Sequence, residues 1–314
     1  MAFGEVYRQQ VGLLVRVLPL VAAESDFALK GGTAINLFHR DLPRLSVDID
    51  LAYLPLSSRS EALAAIDAAM KRLAAAIGKT VPGARISEGR LPPEGAVVKL
   101  IVRTARVQIK LEVTPVLRGA VFPAERIRTR PAVEAAFGFA EVNVLSFADL
   151  YAGKIVAAFD RQHPRDLFDV RELLANEGVS EALRRAFLVY MVSHGRPMAE
   201  VLAPPRKDIA REFERGFQGM TANPIALEAL VAAREALVEA MVVQMPQAHR
   251  RFLMGFERGE PDWSLIDLAQ AAQLPAVRWR QRNLDSLPPE RRAALVAALR
   301  DVLYAGDDSA LDPK

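Results

Sequence analysis

Two carboxylates separated by one residue, Asp48 and Asp50, stand out first, because they alternate with Val47, Ile49 and Leu51. That period-2 pattern predicts a half-buried strand whose alternate side chains leave one face. With a rise of about 3.3 Å per residue, the two Cβ atoms lie roughly 7 Å apart on that face. Paired hard oxygen ligands on a rigid strand suit Mg²⁺, or Mn²⁺, bound together with substrate phosphates. Upstream, Lys30-Gly31-Gly32-Thr33 follows the apolar run Phe27-Ala28-Leu29. A diglycine lets a backbone approach a triphosphate closely, and a following helix offers its N-terminal N–H groups. Lys30, Gly31, Gly32 and Thr33 are therefore the candidates for nucleotide contact.

A third carboxylate is expected from a neighbouring strand. Val97–Arg103 and Arg106–Pro115 read as two strands joined tightly at Thr104-Ala105. In the second, Val107, Ile109, Leu111 and Val113 form one face, and Gln108, Lys110 and Glu112 the other. Glu112 is the natural third ligand; the competing reading is a plain Lys-Glu surface.

The elements that position these residues are legible in part. Apolar side chains at helical spacing (Val11, Leu14, Val15, Leu18, Val21) predict a first helix, with Pro19 inside the pattern. Ser58 and Glu61 form a capping box that opens an Ala-rich helix to about Ile77, which Gly78 is placed to stop. Residues 116–145 read as loop-rich, with Pro123 and Pro131. Ser146–Asp149 caps a helix carrying Lys154, and Pro164 opens another that carries Arg165, Asp166 and Asp169. From about residue 180 the pattern is helix after helix with proline breaks, ending in a polar tail, 306–314, expected to fray. The expected organisation is a domain at 1–178 followed by a helical domain at 179–314.

Composition narrows the classes. The chain has 314 residues, half of them apolar and a quarter charged, so it can bury two ordinary cores. It has no cysteine, which removes disulfides, thiolate metal sites and thiol nucleophiles. No secretory leader and no membrane-length apolar run is visible, so a cytoplasmic protein with no membrane partner is expected. His39, His163, His194 and His249 are scattered without metal-ligand spacing. Neither a P-loop nor a Gly-x-Ser-x-Gly elbow occurs. The formal charge is only +3, but arginines cluster: Arg118, Arg126, Arg128 and Arg130 in one stretch, and Arg278, Arg280 and Arg282 around Trp279. Such clusters can neutralise phosphates, or can simply be solvated helix surface, with Trp279 as a core anchor.

The order Gly-Gly-Thr, short helix, basic turn with one Ser, then Asp-x-Asp strand resembles the nucleotide site of DNA polymerase β-like nucleotidyltransferases. The wording KGGTAINL…R.S.DIDL resembles the AbiEii-type toxins in particular, although Thr33 and the long gap to Asp48 depart from the wider Gly-Ser signature. Lys154 followed by Arg165-Asp166-Leu167-Phe168-Asp169 is a second point of likeness, and residues 248–287 a third. The resemblance implies an α+β fold: a polymerase β-like nucleotidyltransferase core with a mixed sheet, then a helical C-terminal domain. It implies that Lys154 contacts the triphosphate while Asp166 or Asp169 orients Lys154 or the nucleotide. It implies a toxin with a cognate antitoxin, and, by likeness to the MenT group, addition of nucleotides to the 3′ end of tRNA. With these expectations, Asp48, Asp50 and Glu112 would hold two divalent ions about 3.5–4 Å apart. An NTP would donate its nucleoside monophosphate and release pyrophosphate. Arg126, Arg128, Arg130, Arg278 and Arg280 are the candidates for RNA contact. The same carboxylates serve transfer to a protein hydroxyl equally well, and a nucleotide- or RNA-binding regulator with a silent site is the non-enzymatic alternative.

Overall fold

A computed structural model describes residues 3–305, so the tail at 306–314 lies outside the described residues. The alternating segments become strands of one mixed, seven-stranded sheet. In chain order these are β1 (Phe27–Lys30), β2 (Asp48–Tyr53), β3 (Arg85–Leu91), β4 (Ala96–Arg103), β5 (Gln108–Val113), β6 (Glu125–Arg128) and β7 (Glu141–Val144). Their spatial order is β3-β4-β5-β2-β1-β7-β6. β2 pairs in parallel with β5 and antiparallel with β1, which pairs in parallel with β7. The acidic strand is therefore central, with a partner on each side to fix its register.

The helices follow as α1 (Glu5–Val21), α2 (Gly31–Ala34), α3 (Arg59–Thr80), α4 (Pro131–Phe137), α5 (Phe147–Arg161), α6 (Pro164–Asn176), α7 (Glu181–Val192), α8 (Met198–Leu202), α9 (Ala210–Gly216), α10 (Leu227–Val238), α11 (Gln247–Arg258), α12 (Pro275–Asp285) and α13 (Pro289–Leu303). α2 runs directly into a π-helical turn, Ile35–His39. The chain forms two compact units. One runs to Leu150 and takes back Arg211–Ala226; the other comprises Tyr151–Ala210 and the chain from Leu227 onward.

In the first unit, Ile49, Leu51, Ile109, Leu111 and Val113 are buried on one sheet face, where α1 and α3 pack. α1 buries the expected stripe, Val11, Leu14, Val15, Leu18 and Val21. Pro19 lies one turn from its end, where a single missing hydrogen bond ends nothing. The capping box of α3 is present: Ser58 N–H donates to Glu61 at 3.0 Å, and Glu61 N–H to Ser58 Oγ at 3.4 Å. Gly78 does not stop α3, however. The helix continues to Thr80, because Gly78 packs towards Ile86 of β3 and the next turn closes with Val81 N–H donating to Ile77. The stretch expected to be loop-rich holds β6, α4 and β7 instead. β6 and β7 are only four residues each, too short to show a period.

The returning segment Arg211–Ala226 fixes the loop before β2. Leu45 N–H donates to Met220 at 2.6 Å, and Ala222 N–H to Pro43 at 2.8 Å. Arg44 bridges to Thr221 in the same ladder. A segment far along the chain thus holds the basic turn that precedes the acidic strand.

The second unit is helical. α6 packs on α10, while α11 packs on α7 and α13. α11 buries His249, Phe252, Leu253, Phe256 and Glu257 along one side. α12 opens with Pro275 in its first turn, where a missing N–H costs nothing. No helix among the described residues is long and apolar enough to cross a membrane.

Candidate active site

Register places the acidic residues in rows across the sheet of the first unit. Asp50 lies opposite Glu112 on β5 and opposite Lys30 on β1, and Glu112 lies opposite Lys99 on β4. One row therefore reads Lys99, Glu112, Asp50, Lys30. The next places Asp48 opposite Lys110. Directly opposed residues share a face, so the three carboxylates and three lysines lie together, away from the apolar face. Asp48, Asp50, Glu112, Lys30, Lys99 and Lys110 are all half-buried.

Lys110 Nζ meets Glu112 Oε2 at 2.9 Å. Burial acts to lower the Lys110 ammonium, but the Glu112 hydrogen bond and the charges of Asp48, Glu112 and Asp50 outweigh it and leave it raised. Lys30 donates from Nζ to Thr114 Oγ1 at 2.9 Å. Its burial lowers it below an ordinary lysine, against the opposing pull of Asp50 and Glu112.

The diglycine is shaped by these side chains. Gly31 takes φ +72°, the left-handed region, and a Cβ there would stand 2.7 Å from Asp50 Oδ2. A Cβ on Gly32 would stand 2.6 Å from Arg44 Nη2 and 3.0 Å from Ser46 Oγ. The two glycines thus admit a carboxylate and a guanidinium against the main chain. Thr33 turns inward. It is buried, lies 3.1 Å from Ser46 Oγ, and donates to the main-chain carbonyl of Asp48. Its hydroxyl ties the glycine turn to the start of the acidic strand.

In the second unit, Lys154 on α5 is buried between two carboxylates of α6. Its Nζ lies 2.7 Å from Asp166 Oδ1 and 3.1 Å from Asp169 Oδ2. The three-residue spacing puts both aspartates on one helix face. Asp166 also takes two hydrogen bonds from Arg161, from Nε at 2.5 Å and Nη2 at 3.0 Å. Burial alone pushes Asp166 up, but Lys154 and Arg161 hold it far below the usual carboxylate range. α6 starts at His163, whose Nδ1 accepts from Arg165 N–H, followed by Pro164.

The arginines divide. Arg126 and Arg128 are exposed on β6, two residues apart on one face, and Arg130 is exposed at the start of α4. Arg126 pairs with Glu141 at 2.9 Å. Arg278 and Trp279 are exposed, so Trp279 is not a core anchor. Arg280 is buried instead, 3.7 Å from the buried Glu257, and is not presented to solvent. Its partner lies on α11, and nothing in the local spacing around Arg280 announces it. Arg44, Ser46, Lys99 and Arg161 join these clusters through the fold. Only the Arg44–Ser46 turn carried a signal, its place in the R.S.DIDL wording.

Among the described residues no three His, Asp or Glu side chains close around a point that could hold a metal ion unaided. The donor set still fits a divalent ion of the Mg²⁺ kind, which takes one or two carboxylates and completes its shell with water and substrate phosphates.

The chain shares the fold of MenT4, a nucleotidyltransferase toxin from Mycobacterium tuberculosis, on which it superposes with a TM-score of 0.60 at 16% identity, over 93% of this chain and 92% of that one. Residues 12–282 match the family described as "Nucleotidyl transferase AbiEii toxin, Type IV TA system", and the chain belongs to that family. Curated proteins offer no match. Membership makes the protein a nucleotidyltransferase that uses an NTP, and implies a cognate antitoxin.

Proposed function

We propose that the protein transfers a nucleoside monophosphate from an NTP to the 3′ end of tRNA, with Mg²⁺ or Mn²⁺. The observation that carries this reading is the strand register, which sets Asp48, Asp50 and Glu112 on one face, with Asp50 close against the main chain of Gly31. Divalent ions held there would neutralise the phosphates and lower the pKa of the attacking hydroxyl. Asp48 and Asp50 are the ligands on β2, and Glu112 the ligand on β5. The terminal hydroxyl oxygen bonds to the α-phosphorus as the bond to pyrophosphate breaks, and the Glu112 carboxylate accepts the hydroxyl proton. The Lys30-Gly31-Gly32-Thr33 backbone lies against the phosphates, with Thr33 supporting it from within.

Lys154 supplies an ammonium to the phosphates. Two of its three donors are fixed by Asp166 and Asp169, which therefore orient it together. The functional division that we propose, a catalytic stretch at 1–178 and a helical one at 179–314, follows the motif residues, of which Asp169 is the last.

Exposed Arg126, Arg128, Arg130 and Arg278 contact the RNA, and Arg280 braces the helix that carries Arg278. The test is incubation with labelled NTPs, Mg²⁺ and total RNA or lysate. Label on tRNA is expected, weakening with salt by roughly 0.7 log units per tenfold salt for each single-strand phosphate contact. Reversing Arg126, Arg128 and Arg130 to Glu should reduce both labelling and that slope. Label confined to protein, or full tRNA labelling by the reversed variant, overturns the RNA acceptor.

A further inference from the structure

The loop after β5 holds a cation that no described residue neutralises. Arg118 is 6% exposed, and its Nε and Nη1 are buried with no hydrogen-bond partner among the described residues. Nη2 makes one long contact, 3.4 Å, to the main-chain carbonyl of Ser57. Ser57 Oγ is likewise buried without a partner. Ser57 immediately precedes Ser58, the N-cap of the 22-residue helix α3. Burial lowers Arg118 from the usual arginine value, the repulsion of Arg59 lowers it further, and the Tyr53 phenol opposes both.

The carboxylates that meet Val121, Phe122 and Arg59 are engaged by them. Asp149 takes Val121 N–H at 2.8 Å on one oxygen, and Phe122 N–H at 3.0 Å and Ser146 Oγ at 2.7 Å on the other. Glu94 takes Arg59 at 2.8 Å. The loop is also pinned, since Gly119 N–H donates to Tyr53 at 2.8 Å and Arg118 N–H to Val116 at 3.0 Å. An uncompensated buried charge is costly, so a fixed guanidinium here wants an anion. The planar donor fork of Arg and a hydroxyl are together suited to a phosphate.

We propose that Arg118 and Ser57, at the start of α3, form a phosphate-binding site separate from the carboxylate face. The phosphate comes from the nucleotide or from the acceptor strand. That assignment of source rests on the nucleotidyltransfer reading, whereas the anion site does not.

The test follows thermal unfolding of the intact protein against inorganic phosphate, with chelator present and ionic strength held with chloride. Wild type should gain stability with phosphate as ligand linkage requires. Arg118→Met should bind phosphate about ten- to a hundredfold more weakly, the loss of a charged hydrogen-bonding group. It should be at least as stable as wild type when phosphate is absent. Ser57→Ala, a milder change, should weaken phosphate binding without unfolding the protein. An Asp48→Asn, Asp50→Asn double variant should keep the full phosphate response, so that failure of the catalytic reading leaves this result readable. Repeating the titration with an NTP and with a short single-stranded RNA assigns the source by which affinity Arg118→Met loses. An unchanged phosphate response in both Arg118→Met and Ser57→Ala, or a destabilised Arg118→Met in phosphate-free buffer, overturns the site.

Discussion

On the sheet, Lys110 meets Glu112 at 2.9 Å with a third or more of each side chain exposed; between α5 and α6, Lys154 meets Asp166 at 2.7 Å with 7% and 0% exposed. The chemistry is the same and the surroundings are opposite. An exposed pair is held weakly, because water competes for both partners. A ligand or cation can therefore replace Lys110 at Glu112 at little cost. A buried pair is held by the penalty of leaving either charge alone, so Lys154, Asp166 and Asp169 keep one arrangement. The sheet face is built to exchange its partners, and the helical cluster to keep them.

The largest expected effect comes from the exchangeable face. Replacing both Asp48 and Asp50 with Ala should abolish nucleotide transfer while leaving the fold intact, since both side chains are half-buried on the polar face of the sheet. Wild-type turnover in that variant would end the metal-ligand reading. The helical cluster should behave differently, losing rate and stability together. Lys154→Ala should lose about 2–4 kcal/mol of transition-state stabilisation. It should also lose roughly 3–5 kcal/mol of folding stability, by stranding buried carboxylates. Lys154→Arg should restore only part of the rate, because a planar fork does not reproduce a point charge. Breaking the exposed pair by Lys110→Ala should cost no more than about 1 kcal/mol in the same denaturant titration. Equal costs for the two lysines would erase the contrast.

The smallest effect is in acid. Asp166 is held below its unfolded value of about 3.9, so its contribution is complete above that pH and is lost as pH falls towards the folded value. Wild type should therefore lose stability more steeply below about pH 4 than Asp166→Asn, measured as the denaturant midpoint at each pH. Parallel curves would show that Asp166 is not the charge being held.

What could be read from the sequence was local. The alternation around Asp48 and Asp50, the Ser58–Glu61 box and the stripe of α1 each declare themselves within one or two turns or a few strand residues. The site carboxylates lay on such segments and were therefore visible. β3 was not, since RISEGRL is an edge strand with no apolar face to alternate. The role of Thr33 was also hidden, because its hydroxyl is consumed by the carbonyl of Asp48, a contact set by the fold of the intervening loop. That loop is in turn held by residues near Met220, a pairing with no sequence signal at all. The inward turn of Arg280 belongs to the same kind, decided by Glu257 on another helix.

The π-helical turn Ile35–His39 bears on how this stretch tolerates changes in length. Arg40 N–H donates to Ile35 at 2.8 Å, five residues back, so the turn holds one residue more than an α-helical turn. Lys30 is fixed upstream by its strand pairing with Asp50 and Thr33 by the Asp48 carbonyl, and Leu45 downstream by Met220. An extra residue between these anchors has to be swallowed locally or it would rotate all that follows by about 100°. The widened turn swallows it. Insertions and deletions in the span between the diglycine and the acidic strand can therefore be absorbed as a bulge, while both ends keep their positions.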